Sequence, residues 1–330
     1  SETGASVSGY KTAVKAANLF SIGLGGDSQI TLERGNEIVI GPERVVPLAY
    51  LSHLDRNVQE RLRALAKRGW PAPYPRELEY WFLQRDVADL DQFSAREQQV
   101  IEVLRSGPNP AIEVLKSLGL LDPSQIDLDN LWREEITGKA GFTPTDILHV
   151  EGKHSPWDEK ASQAALEVFS HYLNWETDHF RGVFWEKVAE KITKAIIHFL
   201  TEKDIPPKDE PRHNLANWFL NNTLQPAHDQ LETQIKLTIP LIGIGAPAEV
   251  MLDKAARVFN TKLVLPPHYQ VANAAGAVAG SVMITEESLL YPHLSAGNVD
   301  VIGYYLQARD GREEIDELED AIQKAQQLAS

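Results

Sequence analysis

Apolar segments alternate with turns of small residues over residues 239–278. Residues 239–244 predict one strand, and residues 263–265 predict a second strand that ends at a double proline. A turn of small residues follows each strand and precedes a predicted helix, the second turn lying at 272–276. Turns without side chains let a flat ligand approach the backbone, and helix N-termini favour anionic groups. This pattern therefore predicts a nucleotide-binding α/β domain.

The first 52 residues predict a β-rich part of the core. Apolar segments at 29–32 and 37–40 flank an Arg-Gly-Asn turn at 34–36, a combination typical of a β-hairpin. The Gly-Pro pair at 41–42 is expected to end this hairpin.

Residues 53–140 predict a helical insertion. Residues 55–66 place their leucines and a valine on one helix face, and a further helix is predicted over 78–90. A capping box of Ser94 and Glu97 is predicted to open the first of three short helices over 94–139. With their glycine-containing turns, these helices are similar to a winged-helix unit, which would indicate DNA binding. That unit carries five basic and eight acidic side chains, so we favour a structural insertion or a protein-contact surface.

Residues 141–330 predict the remainder of an α/β core, which carries the nucleotide-binding turns. Periodic apolar residues predict a long helical region over 159–200 and an amphipathic helix over 312–328. A strand is predicted over 300–305.

Composition narrows the function classes. The chain has no cysteine, which excludes disulfides, thiolate catalysis and cysteine–zinc sites. Its net charge of −15 argues against binding to nucleic acid or to an anionic membrane. No apolar run approaches the roughly 20 residues of a membrane span, so we expect no membrane partner. The absence of cysteine makes a reducing cytoplasm the expected compartment.

Three blocks of sequence together resemble the hydantoinase/oxoprolinase family, a branch of the actin-like ATPase superfamily. The first is SIGLGGDSQI at 21–30 with the Gly-Pro pair at 41–42, and the second is GFTPTDILHVEG at 141–152. The third is the pair of small-residue turns within 239–278, and the blocks occur in the order that the family has them. The resemblance implies an actin-like, ribonuclease-H-like fold with a mixed sheet and flanking helices, to which the winged-helix-like insertion is added.

The resemblance also implies the chemistry. Proteins of this family use ATP and a divalent metal, Mg²⁺ or Mn²⁺, to hydrolyse a small cyclic amide such as a hydantoin or 5-oxoproline. Their acidic, glycine-rich phosphate loop precedes the first block, and residues 1–20 contain no such loop. We therefore expect the chain to be the C-terminal portion of a longer protein and to be inactive without the N-terminal half. A separate partner subunit is compatible with the resemblance.

The first candidate site is the turn at 25–28. By resemblance, Gly25, Gly26 and Ser28 would approach phosphate through backbone N–H groups, with Asp27 near a metal. The alternative is a tight strand connection in which Asp27 only forms the turn.

The second candidate site is the turn at 243–246. Gly243, Gly245 and Ala246 would contact adenosine through the backbone, or they would only allow close packing of a strand on a helix. Asn273 is a candidate for a polar contact at the cleft, and it is also a suitable helix N-cap.

Two residues are candidates for catalysis, although neither a nucleophile nor a base can be assigned. Asp146 follows Thr143 and Pro144, where capping of a helix is the alternative role. His268 follows the double proline near the expected cleft, as a general acid or base or as a structural loop residue. Two other functions remain open: a kinase on the same fold, and a regulatory or scaffold protein without catalytic activity.

Overall fold

The computed structural model describes residues 6–7, 10–11, 20–33, 35–69, 71–154, 156–201, 214–224, 229, 232–279, 289–294, 301–308 and 311–328. These residues form a mixed α/β structure that packs as two compact units, Ser1–Ala272 and Asn273–Ser330. The prediction of an α/β fold class with a mixed sheet is confirmed. Residues 281–284, whose sequence suits either the end of a helix or the start of a strand, lie outside the described residues.

The first unit contains ten strands and ten α-helices within its described residues. The strands are β1 (Ser6–Val7), β2 (Tyr10–Lys11), β3 (Ser28–Leu32), β4 (Ile38–Arg44), β5 (Val46–Pro47), β6 (Tyr80–Leu83), β7 (Asn109–Pro110), β8 (Thr137–Gly141), β9 (Leu241–Ile242) and β10 (Leu263–Val264). The helices are α1 (Leu48–Leu54), α2 (Arg56–Ala66), α3 (Ala95–Leu104), α4 (Ala111–Ser117), α5 (Asp129–Arg133), α6 (Pro144–Val150), α7 (Glu159–Leu173), α8 (Thr177–Thr201), α9 (Asn214–Leu224) and α10 (Ala248–Val258).

Strands β3 and β4 form the predicted antiparallel hairpin, in which Ile30 pairs with Ile40 and Leu32 with Ile38. The Gly-Pro pair at 41–42 does not end the hairpin, because β4 continues to Arg44. Gly41 has a φ of +65°, so the strand bends there without terminating. A side chain at this position would meet the carbonyl oxygen of Gly23, which therefore lies directly against the bend.

A four-stranded mixed sheet in the order β5-β8-β6-β7 forms the centre of the first unit. Strands β5 and β8 are parallel, whereas β6 is antiparallel to both of its neighbours. The predicted helix over 78–90 is wrong, because Tyr80–Leu83 is the strand β6. Its sequence Tyr-Trp-Phe-Leu is rich in aromatic residues, which fit a pleated surface covered on both faces better than a helix.

The segment over 94–139 forms a small helical module with its own apolar core. The predicted capping box is confirmed: the Ser94 hydroxyl accepts from the N–H of Glu97, whose carboxylate accepts from the N–H of Ser94. Val100, Leu104 and Leu131 are buried in this core together with Trp81 of the central sheet. The insertion is therefore joined to the sheet by packing as well as by β7.

The predicted helical region over 159–200 is confirmed as two helices, α7 and α8, separated at Asn174, whose φ is +54°. Phe169 of α7 packs against Phe142 and Phe180. Helix α10 adds Met251 and Ala255 to the same core. The three helices thus share one apolar interior with the β3–β4 hairpin.

Asp146, at the start of α6, connects three helices. Its Oδ2 accepts from the N–H and the hydroxyl of Thr143 at 2.9 and 2.7 Å. Its Oδ1 accepts from the N–H of Ala49 in α1 at 2.8 Å and from the Ser162 hydroxyl in α7 at 2.9 Å. The N–H of Leu48 also donates to Oδ2, at 3.3 Å. The side chain is fully buried, so one carboxylate satisfies the N-termini of α1 and α6 and fixes both against α7.

The second unit is an antiparallel sheet covered by one helix. It contains α11 (Ala272–Ala279), β11 (Leu289–Leu294), β12 (Val301–Ala308), β13 (Gly311–Ile315) and α12 (Leu318–Leu328), with sheet order β11-β12-β13. The predicted strand over 300–305 is confirmed by β12. The predicted helix over 312–328 is correct only from Leu318, because residues 312–315 pair with β12. Within the described chain, no helix is long and apolar enough to cross a membrane.

We predict that the substitution Asp146→Asn lowers the free energy of unfolding by about 3 kcal/mol, because an amide NH₂ would face buried N–H donors that now meet a carboxylate oxygen. Urea titration followed by circular dichroism measures this difference. Asp91→Asn is the matched control, since Asp91 is exposed, and its effect should stay within about 0.5 kcal/mol. Equal stabilities of the two variants would contradict the structural role of Asp146.

Candidate functional site

The turn at 25–28 presents free backbone N–H groups at the start of β3. The N–H of Ser28 donates to the carbonyl of Gly25 at 3.2 Å, and the buried Ser28 hydroxyl accepts from the N–H of Gly25 at 2.8 Å. Within the part of the chain that the structure describes, the N–H groups of Gly26 and Asp27 have no acceptor. Successive unpaired N–H groups in a turn form an anion-binding concavity. The geometry of this turn therefore suits a phosphate oxygen.

Gly26 joins this turn to the segment 141–152, the second block of the family resemblance. Its carbonyl accepts from the N–H of Thr145 at 2.9 Å and from the Thr145 hydroxyl at 2.7 Å. A Cβ at position 26 would lie 2.8 Å from that hydroxyl oxygen, so only glycine allows the contact. Two segments that are 119 residues apart in the chain thus meet at one point.

Asp27 lies on the outer side of the turn and pairs with Arg44. The guanidinium Nε donates to Oδ2 at 2.7 Å, and the two side chains are 36% and 79% exposed. No group of three or more histidine, aspartate or glutamate residues is placed to hold a metal within the described ranges.

Lys191 of α8 holds the backbone that precedes this turn, a role that the sequence analysis missed. Its ammonium group donates to the carbonyl of Gly23 at 2.9 Å and to the carbonyl of Ile40 at 2.5 Å. Burial lowers the pKa of this lysine. The signal in the sequence was a lysine three residues after Val188, since this spacing places it beside the apolar face of α8.

The two glycines of the second turn are required for different structural reasons. A Cβ at Gly243 would lie 2.8 Å from Leu265 and 3.1 Å from Leu252, so this glycine allows strand and helix to pack closely. Gly245 has a φ of +105° and open space where a side chain would be, and its N–H donates to the carbonyl of Tyr269 at 2.6 Å. Ala246 is exposed beside it. Gly245 and Ala246 therefore leave a bare surface that a ligand can approach.

His268 and Glu249 flank this surface. His268 is exposed with a φ of +61°, and its ring has no hydrogen-bond partner among the described residues. The Tyr269 hydroxyl donates to the carboxylate of Glu249 at 2.7 Å, in the first turn of α10. That bond, together with the Gly245 contact, holds the loop that carries His268 against the second turn.

Asn273 is not the N-cap of its helix, and Asp146 is buried in the interior. Asn273 opens the second unit, where it is exposed and lies inside α11 rather than at its N-cap, because the preceding 3₁₀ turn Tyr269–Val271 leads directly into the helix. Burial raises the pKa of Asp146, while hydrogen bonds from Ala49, Thr143 and Ser162 act to lower it. The hydrogen bonds of Asp146 are all internal, and its neighbour in α6 is Thr145, which bonds to Gly26.

Comparisons of this chain with protein-family models, with curated proteins and with solved structures found no match. The candidate site consists of two turns, one with free N–H groups and one with a backbone that carries no large side chain. Helix α8 packs against the elements that carry both turns.

We predict that Lys191→Met lowers the free energy of unfolding by roughly 1–2 kcal/mol, because the carbonyls of Gly23 and Ile40 lose their donor. Lys194→Met is the control on the same helix, since the pair of Lys194 with Glu190 is exposed and its loss should cost less than about 0.5 kcal/mol. Thermal and urea denaturation measure both. A Lys191 variant as stable as the control would show that the lysine does not hold the turn.

We predict that the two glycines of the second turn respond differently to alanine. Gly245→Ala should cost about 1 kcal/mol through its positive φ alone, and Gly243→Ala about 1–3 kcal/mol through overpacking against Leu265. Gly69→Ala, at a position with open space and no positive φ, should change stability by less than about 0.5 kcal/mol. Equal costs for all three substitutions would refute this distinction.

Proposed function

We propose that this chain is the C-terminal, nucleotide-binding region of an ATP-dependent cyclic amide hydrolase of the hydantoinase/oxoprolinase kind, built on an actin-like ATPase fold. The observation that carries the proposal is the double hydrogen bond from Thr145 to the carbonyl of Gly26. It brings together two of the three blocks on which the resemblance rests. Helix α8 supports the first turn through Lys191 and packs on α10, which begins at the third block.

The proposed phosphate contacts are the N–H groups of Gly26 and Asp27. Binding of an anion there would satisfy two donors that have no acceptor in the described structure. Asp27 is the carboxylate nearest to such an anion along the chain, and an accompanying Mg²⁺ or Mn²⁺ would draw it away from Arg44. Gly245 and Ala246 offer backbone without side chains for the flat adenine ring.

ATP would supply the phosphoryl group that activates the oxygen of the cyclic amide. The contribution of this chain is to bind and orient, since catalysis of phosphoryl transfer is largely positional and electrostatic. Asp146 and Lys191 fix the turn from the inside, Asp146 through its neighbour Thr145 and Lys191 through Gly23. His268 is exposed beside the second turn, where its imidazole could exchange a proton with a bound substrate.

Strands β9 and β10 leave apolar side chains exposed that further polypeptide would cover. These strands form a two-stranded parallel pair, and Ile242 and Val264 are 65% and 43% exposed. Ile239 and Ile244 are exposed on either side of β9. Parallel sheets are normally covered on both faces, and two strands alone are marginally stable. We propose that the N-terminal half of the same protein, or a partner subunit, adds to this sheet and completes the nucleotide site.

The test is ATP hydrolysis by the complete protein with Mg²⁺ or Mn²⁺, in the presence of hydantoins, 5-oxoproline and other lactams. We expect one cyclic amide to stimulate hydrolysis severalfold. Tight ATP binding without stimulation by any cyclic amide would contradict the hydrolase and favour a kinase or a regulatory protein. Absence of ATP binding would contradict the nucleotide site itself.

We predict that Gly26→Ala lowers the affinity of the complete protein for ATP at least tenfold, since its Cβ would push the turn away from Thr145. Gly69→Ala is the matched control and should leave the affinity unchanged. Equilibrium binding of a fluorescent ATP analogue measures both, and circular dichroism checks that each variant is folded. Equal affinities in the two folded variants would remove the turn at 25–28 from the proposed site.

A further inference from the structure

A cavity of about 380 Å³ lies between the β3–β4 hairpin, the central sheet and the 3₁₀ turn Pro75–Leu78. Its size is within the range of small-molecule sites, roughly 300–1,000 Å³. All lining residues belong to the first unit, and aromatic rings form much of the wall: Tyr74, Trp81, Trp132, Phe142 and Phe169. None of the predicted site residues lines it.

The carboxylate of Glu79 lines this cavity and accepts no hydrogen bond from the described residues. The side chain is half-buried, and no donor among the described residues lies within hydrogen-bonding distance of its oxygens. Burial raises its pKa, and nearby Glu43 acts in the same direction, against Arg76 and Lys139. A carboxylate held among aromatic rings without a donor is costly, so a ligand that donates to it would gain free energy.

The two cations of the cavity already have partners. The Lys139 ammonium lies 2.5 Å from the carboxylate of Glu43 and 3.7 Å from the centre of the Trp132 ring. Arg76 lies 3.8 Å from the carboxylate of Asp122. With Glu33 at the rim, the lining holds three carboxylates against two cations, a net charge of −1. Glu79 is therefore the half-buried carboxylate of the lining that has no partner among the described residues, whereas Glu33 is exposed at the rim.

Aromatic rings, among them that of Trp132, form much of the rest of the wall. The aromatic faces attract a positive charge through their quadrupoles and pack against apolar ligand surface. Positive charge and apolar surface together are the properties of an aralkyl or alkyl ammonium ion.

We propose that this cavity binds a small primary amine, with the ammonium group against Glu79 and an aromatic or aliphatic body against the aromatic wall. The site is separate from the turns of the proposed nucleotide site and does not depend on the function proposed for them. An anionic ligand would face the net negative lining, and a neutral isostere would leave the carboxylate of Glu79 without a cation.

Isothermal titration calorimetry of the full chain, without nucleotide, tests the proposal with three probes of similar shape. These are 2-phenylethylamine, 2-phenylethanol and 3-phenylpropionate. We expect the amine to bind at least tenfold more tightly than the alcohol or the acid. Absence of amine binding up to millimolar concentrations, or equal binding of amine and alcohol, would overturn the proposal.

The variant Glu79→Gln identifies the contact. It keeps the shape and removes a partly buried charge that makes no hydrogen bond, so it should be folded, which thermal denaturation verifies. We expect at least a tenfold loss of amine affinity, while Glu60→Gln, at an exposed position on α2, leaves the affinity unchanged. Amine binding that is equally strong in both variants would show that Glu79 does not hold the ammonium group.

Discussion

The carboxylate of Asp146 is the contact on which the first unit depends. It accepts hydrogen bonds from α1, α6 and α7, and every one of those donors lies in the interior. Removing the acceptor would leave several buried donors unpaired, each at a cost of about 1–3 kcal/mol. The three helices are therefore fixed together. Thr145, which precedes Asp146 in α6, is fixed with them and bonds to Gly26. The candidate phosphate turn is thus held by a buried polar network and by Lys191 from α8.

Sequence reasoning succeeded where the cause of a structure is local. The capping box of Ser94 and Glu97 and the β3–β4 hairpin are set by residues a few positions apart, and both are present. It failed where pairing is between distant segments. The strand β6 is formed because β7 and β8 offer it partners, and residues 312–315 pair with β12 although their charges suit a helix. Neighbours of that kind are not visible in a window of ten or fifteen residues.

The same division applies to the candidate site. The small-residue turns could be recognised from composition, and Gly245 and Gly26 have backbone or contact reasons to be glycine. What the first turn touches could not be predicted, since Thr145 bonds to Gly26, and Lys191 to the nearby Gly23, across more than a hundred residues. The cavity beside Glu79 was missed for the same reason: its wall is assembled from β3, β6, β8 and the turn at Pro75, which lie far apart in the sequence.

Hydrogen exchange of the complete protein, with and without Mg²⁺ and ATP, tests the nucleotide site most directly, because the free N–H groups of Gly26 and Asp27 report on an anion bound to them. We expect nucleotide to slow exchange at residues 25–28 and at the start of α10 after Gly245, and to leave the helical module over 94–139 unchanged. Saturating nucleotide binding with unaltered exchange at both turns would contradict the assignment of the site to them.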